Sequence, residues 1–175
     1  MVQNFDEACR HYENFLRALG LGECVDAGLA SRCVAEMMVQ WTRSVHAPEP
    51  SLSLVAASHT HGGGSVSLDE IQFYSFCLHH FVPFWGTVHI SYVPQARIAG
   101  LGGFVRVVDF FSRKPQIQER LCQEIADFLD AQLKPRSLRV RVRARQMCLE
   151  LSGNACGVVI ETQETRGEEL SFEPI

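Results

Sequence analysis

Residues 138–148 alternate without a break. Leu138, Val140, Val142, Ala144, Gln146 and Cys148 fall on one side, and Arg139, Arg141, Arg143, Arg145 and Met147 on the other. A two-residue period puts successive side chains on opposite faces of a β-strand. A strand with four arginines on one face cannot be buried on both, so its sheet has one covered apolar face and one polar face. The arginine face reads as a solvated or subunit-facing surface with acidic partners. An anion site is the sharper alternative, but these side chains point away from Cys148. On this reading Gln146 and Cys148 share the apolar face, where water is scarce.

Helical patterns supply the cover, and the fold class is α+β. Helical spacing runs over residues 4–19 (Phe5, Cys9, Tyr12, Phe15, Leu16, Leu19), closed by Gly20 and Gly22, and again over 27–41. Residues 44–51, with Pro48 and Pro50, read as a linker. The chain therefore divides into a helical region, 1–50, and a second region, 51–175. In the second, 52–57 read as a short strand, 65–76 and 86–93 as antiparallel strands, 100–112 and 116–133 as helices, and 157–162 as a last strand.

The charged fraction is 21% and the net charge −4, which argues against non-specific nucleic-acid binding. No apolar run approaches the roughly 20 residues of a membrane span, and the first residues carry no leader pattern. Seven scattered cysteines, an odd number, suit reduced thiols in a cytoplasmic protein better than a disulfide framework.

One segment carries metal chemistry: Cys77-Leu78-His79-His80. A Cys and a His three apart can reach one cation from a strand end or a helix turn, and Cys148 closes the set once the domain folds. Three protein ligands leave a fourth tetrahedral position open, the mark of catalytic rather than structural zinc. His79 is left free to move protons.

The text around these residues resembles GTP cyclohydrolase I. It comprises Phe73-Tyr74-Ser75-Phe76-Cys77-Leu78-His79-His80, Pro83-Phe84-Trp85-Gly86 and Val88-His89-Ile90-Ser91-Tyr92-Val93-Pro94. It continues through Gly100-Leu101, Arg106-Val107-Val108, Phe111-Ser112-Arg113, Gln116-Ile117-Gln118-Glu119-Arg120-Leu121, Ile125-Ala126 and Met147-Cys148. The resemblance implies the tunnelling fold, an antiparallel four-stranded sheet with two helices on one face. It also implies a homo-oligomer, a decamer in relatives, whose sheets join into a barrel with active sites at subunit interfaces. Carried over residue by residue, it makes Cys77, His80 and Cys148 the Zn2+ ligands. His79 becomes the acid that protonates a ring nitrogen while zinc-activated water attacks C8 of a guanine ring. Glu119, with Gln118 beside it, holds the guanine N–H edge, and Leu101 and Arg106 belong to the substrate-binding set.

The departures are selective. The family's Gly-Leu-Ser-Lys is here Gly100-Leu101-Gly102-Gly103, and the Arg before Gly in its last motif is Ser152. Each hydrogen bond to a charged group contributes about 1.5–3 kcal/mol. Losing two such contacts costs roughly 3–6 kcal/mol, about 10²- to 10⁴-fold in affinity for a triphosphate. Gln146 replaces the family's second catalytic His and cannot shuttle protons, and Leu78 replaces a Glu. The expectation is a zinc hydrolase that opens the ring of a guanine-type heterocycle without a triphosphate. The alternatives are GTP cyclohydrolase I proper, a non-catalytic binding paralogue, and, with little support in the motifs, a nitrile-reducing relative.

Other residues have plainer readings. His59 and His61, beside three glycines, read as a loop. His89 reads as structural, Cys9, Cys24, Cys33 and Cys122 as small core residues, and Cys156 as exposed.

Overall fold

The computed structural model describes residues 4–57, 64–153 and 157–168. The His59/His61 loop and Cys156 lie outside the described residues. Two helices come first, α1 (Phe5–Ala18) and α2 (Ala27–Trp41). Each starts on a side chain that satisfies a free backbone N–H: Asn4 accepts from Glu7 N and Asp26 from Leu29 N. A single 3-10 turn, Arg43–His46, follows where the prolines predicted only linker.

Strands β2 (Val66–Phe76), β3 (Pro83–Val93), β5 (Ser137–Gln146) and β6 (Ile160–Gly167) form one antiparallel sheet in the order β2-β3-β5-β6. Short strands β1 (Leu54–Ala56) and β4 (Arg97–Ala99) pair separately. Helices α3 (Leu101–Ser112) and α4 (Gln118–Leu133) cover one face of the sheet. The core is what the alternation predicts. Val88, Ile90, Leu138, Val140 and Val142 meet Phe104, Val107, Leu121, Ile125 and Leu129, all fully buried. Helix α4 ends on Lys134 in the left-handed region (φ 47°), and Pro135 prevents continuation.

The strand carrying the arginines is shorter than its alternation suggests. It ends at Gln146, opposite Phe84, and residues Met147–Leu151 form a short helix, α5. The partner strand stops at Pro83, which has no N–H to extend the ladder, so Cys148 is not a member of the strand's apolar face. The last strand lies at Ile160–Gly167, later than the expected 157–162. The arginines do face away from α3 and α4. Arg143 pairs with Glu161 (3.3 Å) and Arg145 with Glu150 (2.7 Å). On the same face His89 is braced between Asp69 and Thr87, both at 3.2 Å, in keeping with a structural role. Cys9 and Cys122 are core residues, whereas Cys24, in the turn between α1 and α2, and Cys33, on α2, are exposed. Burial pushes the Cys122 thiol up to about 11, which leaves it unreactive.

Gly86 lies inside β3, paired with Ala144 and Phe73. A Cβ there would collide with Arg143 O and stand 2.7 Å from Ala144 Cα. Gly86→Ala is expected to lower unfolding free energy by about 1–3 kcal/mol, measured by denaturant titration. An unchanged midpoint would mean that the strands move apart freely at this rung.

Candidate metal centre and pocket

Residues 77–82 turn the chain from β2 into β3. Phe81 N donates to Cys77 O and Cys77 N to Val82 O, both at 2.8 Å, which closes the turn. Phe81 adopts φ 52°, a conformation that costs a non-glycine residue of order 1–3 kcal/mol. Stacking on Phe76 (centroids 4.9 Å apart) helps to hold it, and Phe76 itself rests on Trp41 of α2 (5.2 Å).

A second tie comes from Gln116. Its backbone N donates to Phe76 O, and its carbonyl accepts from Leu78 N, both at 2.8 Å. Its side chain is fully buried, donating to Phe111 O (3.1 Å) and Glu124 Oε2 (2.6 Å) and accepting from Arg120 Nε (2.6 Å). The turn is thus pinned to the α3–α4 connection before any metal arrives.

His80 Nδ1 lies 3.8 Å from Cys77 Sγ, and the donor atoms of Cys77, His80 and Cys148 are all within 4.8 Å of one another. Tetrahedral zinc, with bonds of about 2.0–2.3 Å, separates its ligand atoms by roughly 3.3–3.8 Å. The Cys77–His80 pair matches that spacing, and the other two separations are no more than 4.8 Å. Two sulfurs and an imidazole are also the donor chemistry zinc prefers. Burial, and then the neighbouring Cys77 thiol, push the Cys148 thiol up. A cation between the two sulfurs reverses that balance.

The donors open into a pocket also lined by His79, Gln118, Glu119, Gln146, Leu149 and Ile160. His79 is exposed and meets the His80 ring edge-on at 6.2 Å, apart from the three-donor cluster. Glu119 is exposed in the first turn of α4, where the helix dipole favours its negative charge. Gln118 is buried, and its amide serves the backbone: Nε2 donates to Val142 O and Ile160 O, both at 3.0 Å. Gln146 Nε2 donates to Gln118 Oε1 at 2.9 Å.

Leu101 and Arg106 are exposed on α3 and are not among the residues lining this pocket within one chain. The Arg106 guanidinium instead lies within 4 Å of where a Cβ on Gly102 or Gly103 would stand. Sequence reasoning missed Leu149, Ile160 and the structural use of Gln116 and Gln118. The available signal was two glutamines opening a helix whose next turns are apolar.

Fold and site together define an α+β protein with a Cys-His-Cys metal-type site beside an acid-bearing pocket. Comparison with known proteins gives that class a family. The family profile described as GTP cyclohydrolase I matches residues 9–171. GTP cyclohydrolase 1 of Bacteroides thetaiotaomicron is 33% identical over 86% of this chain and 77% of its own length. The Aquifex aeolicus enzyme is 47% identical over 50% of this chain and 48% of its own length. The Sulfurihydrogenibium enzyme is 39% identical over 61% and 63% respectively. The chain thus spans about half to two thirds of the length of these last two relatives. It belongs to the GTP cyclohydrolase I family. Among solved structures, archaeosine synthase QueF-Like in the apo form superposes with a TM-score of 0.50 at 19% identity, covering 62% of this chain and 99% of that one. The architecture is the tunnelling fold.

Proposed function

We propose that this chain is a zinc-dependent cyclohydrolase that opens the imidazole ring of a guanine-type heterocycle lacking a triphosphate. The observation that supports it is the gathering of Cys77, His80, Cys148, His79 and Glu119 around one pocket. Zinc held by the three donors would supply Lewis acidity and an activated water. His79, free of the donor cluster, holds the proton that goes to the ring nitrogen next to C8 as the water oxygen bonds to C8. Glu119 accepts from the N–H edge of the six-membered ring and orients it.

The phosphate end is where the chain departs from its relatives. Gly102 and Gly103 offer no side-chain donors, Ser152 stands where the family carries Arg, and Arg106 lies on α3 outside the pocket lining. The homo-oligomer with subunit-interface sites is part of this proposal, as is a cytoplasmic location.

Zinc-loaded protein incubated with GTP, GMP and guanosine, followed by absorbance and mass, tests the reading. Ring-opened product from the unphosphorylated or monophosphate substrates is expected. Efficient conversion of GTP to a pterin triphosphate would overturn it in favour of the activity for which the curated relatives are named. Glu119→Ala is expected to weaken binding of the productive substrate by about 10- to 150-fold, the worth of one hydrogen bond to a charged group, with zinc content unchanged. Calorimetry with the wild type and the variant measures it. Equal affinities would remove Glu119 from base recognition.

A further inference from the structure

Gln118, at the first position of α4, is 3% exposed. Its Nε2 faces Val142 O and Ile160 O at 3.0 Å each, with Thr162 Oγ1 at 3.4 Å. Carbonyl oxygens only accept, so the nitrogen end of this amide is fixed towards β5 and β6 and its oxygen is left at the other end. Gln146 Nε2 lies 2.9 Å from that oxygen. The partner of a fixed acceptor must donate, so the Gln146 amide is fixed in turn, with its own carbonyl oxygen turned away from Gln118. Among the described residues nothing donates to Gln146 Oε1, and Gln146 lines the pocket with Cys77, His79 and Cys148.

We propose that Gln118 is a positioning residue that locks Gln146 with its carbonyl oxygen towards the pocket. Gln146 is then a specificity determinant, taking an N–H or O–H that hydration of the five-membered ring creates. The proposal rests on the guanine-type reading above. Guanine presents only a lone pair at N7, which a carbonyl oxygen repels. Adding water across the N7–C8 double bond puts the oxygen on C8 and a hydrogen on N7, so N–H and O–H donors arise together. An acceptor held in this orientation therefore favours the hydrated ring over the starting one, which is how binding energy lowers a barrier. An imidazole at this position could act as donor or acceptor. The oxygen of the locked amide can only accept.

The test uses guanosine and 8-oxoguanosine, which differ in having a lone pair or an N–H at N7. Titrated calorimetrically into zinc-loaded protein, 8-oxoguanosine is expected to bind about tenfold tighter, the worth of one hydrogen bond. Gln146→Met, near in shape but without an amide, brings the ratio towards one, by weaker 8-oxoguanosine binding and by guanosine binding freed of that repulsion, with zinc content retained. In ligand-free protein labelled with [15N]glutamine, a Gln146 side-chain amide proton exchanges slowly, and Gln118→Met makes it fast. If Gln118→Met does not fold, slow exchange in the wild type still decides the lock. An undiminished ratio in Gln146→Met overturns the specificity role, and fast exchange in the wild type overturns the lock. If neither nucleoside binds, the guanine reading fails and takes the specificity role with it, while the exchange measurement still judges the lock.

Discussion

Replacing Cys148 with serine is expected to strip zinc from the protein and abolish ring opening while leaving the fold intact. Cys148 is one of three donors within 4.8 Å of one another, and a neutral hydroxyl is a poor substitute for a thiolate. Mutating an outer partner of a metal ligand already costs 10–100-fold in affinity or activity, so loss of a ligand itself should cost on the order of 10³-fold or more. The fold should survive because α5 contributes no buried residue to the core. Zinc per chain, measured by elemental analysis, falls to background, and circular dichroism is unchanged. A variant that keeps both its zinc and its rate would exclude Cys148 from the centre.

His79→Gln should give the complementary result: zinc retained, rate lost. The His79 ring sits edge-on to His80 and outside the donor cluster, so its removal leaves all three ligands in place. A positioned general acid contributes typically 10²–10⁴-fold, and the turnover of the variant should fall by that factor with substrate affinity little changed. Single-turnover kinetics separates the two quantities. Loss of zinc in this variant would make His79 a ligand, and an unchanged rate would assign the proton transfer to another group.

Much of this arrangement is legible in the sequence. The spacing of α2 gives its bounds to the residue, because Asp26 caps one end and Trp41 is the last apolar position of the stripe. The donors are legible because Cys and His recur at ligand spacing, and Glu119 because of its motif. The placement of Cys148 is not. The period-two pattern runs on past Gln146, but a strand lasts only as long as its neighbour, and β3 begins at Pro83. Strand β1 is legible within residues 52–57, but its partner β4 is not, because a three-residue strand carries no period and its pairing is remote in sequence. The roles of Gln118 and Glu119 show the limit most clearly. The two are consecutive in one motif, yet helix geometry turns neighbours about 100° apart, so one faces the sheet and the other stays exposed.

The arginine side of β5 has a consequence for the surroundings of the protein. Residues two apart on a strand stand roughly 6.6–7 Å from each other, less than the screening length of about 8 Å in physiological salt. Arg139, Arg141, Arg143 and Arg145 therefore feel one another, and the Arg141 Nε is buried with no partner among the described residues. Glu161 and Glu150 stand against Arg143 and Arg145. Salt weakens the repulsion within the column, so this sheet holds together better at physiological ionic strength than in dilute buffer.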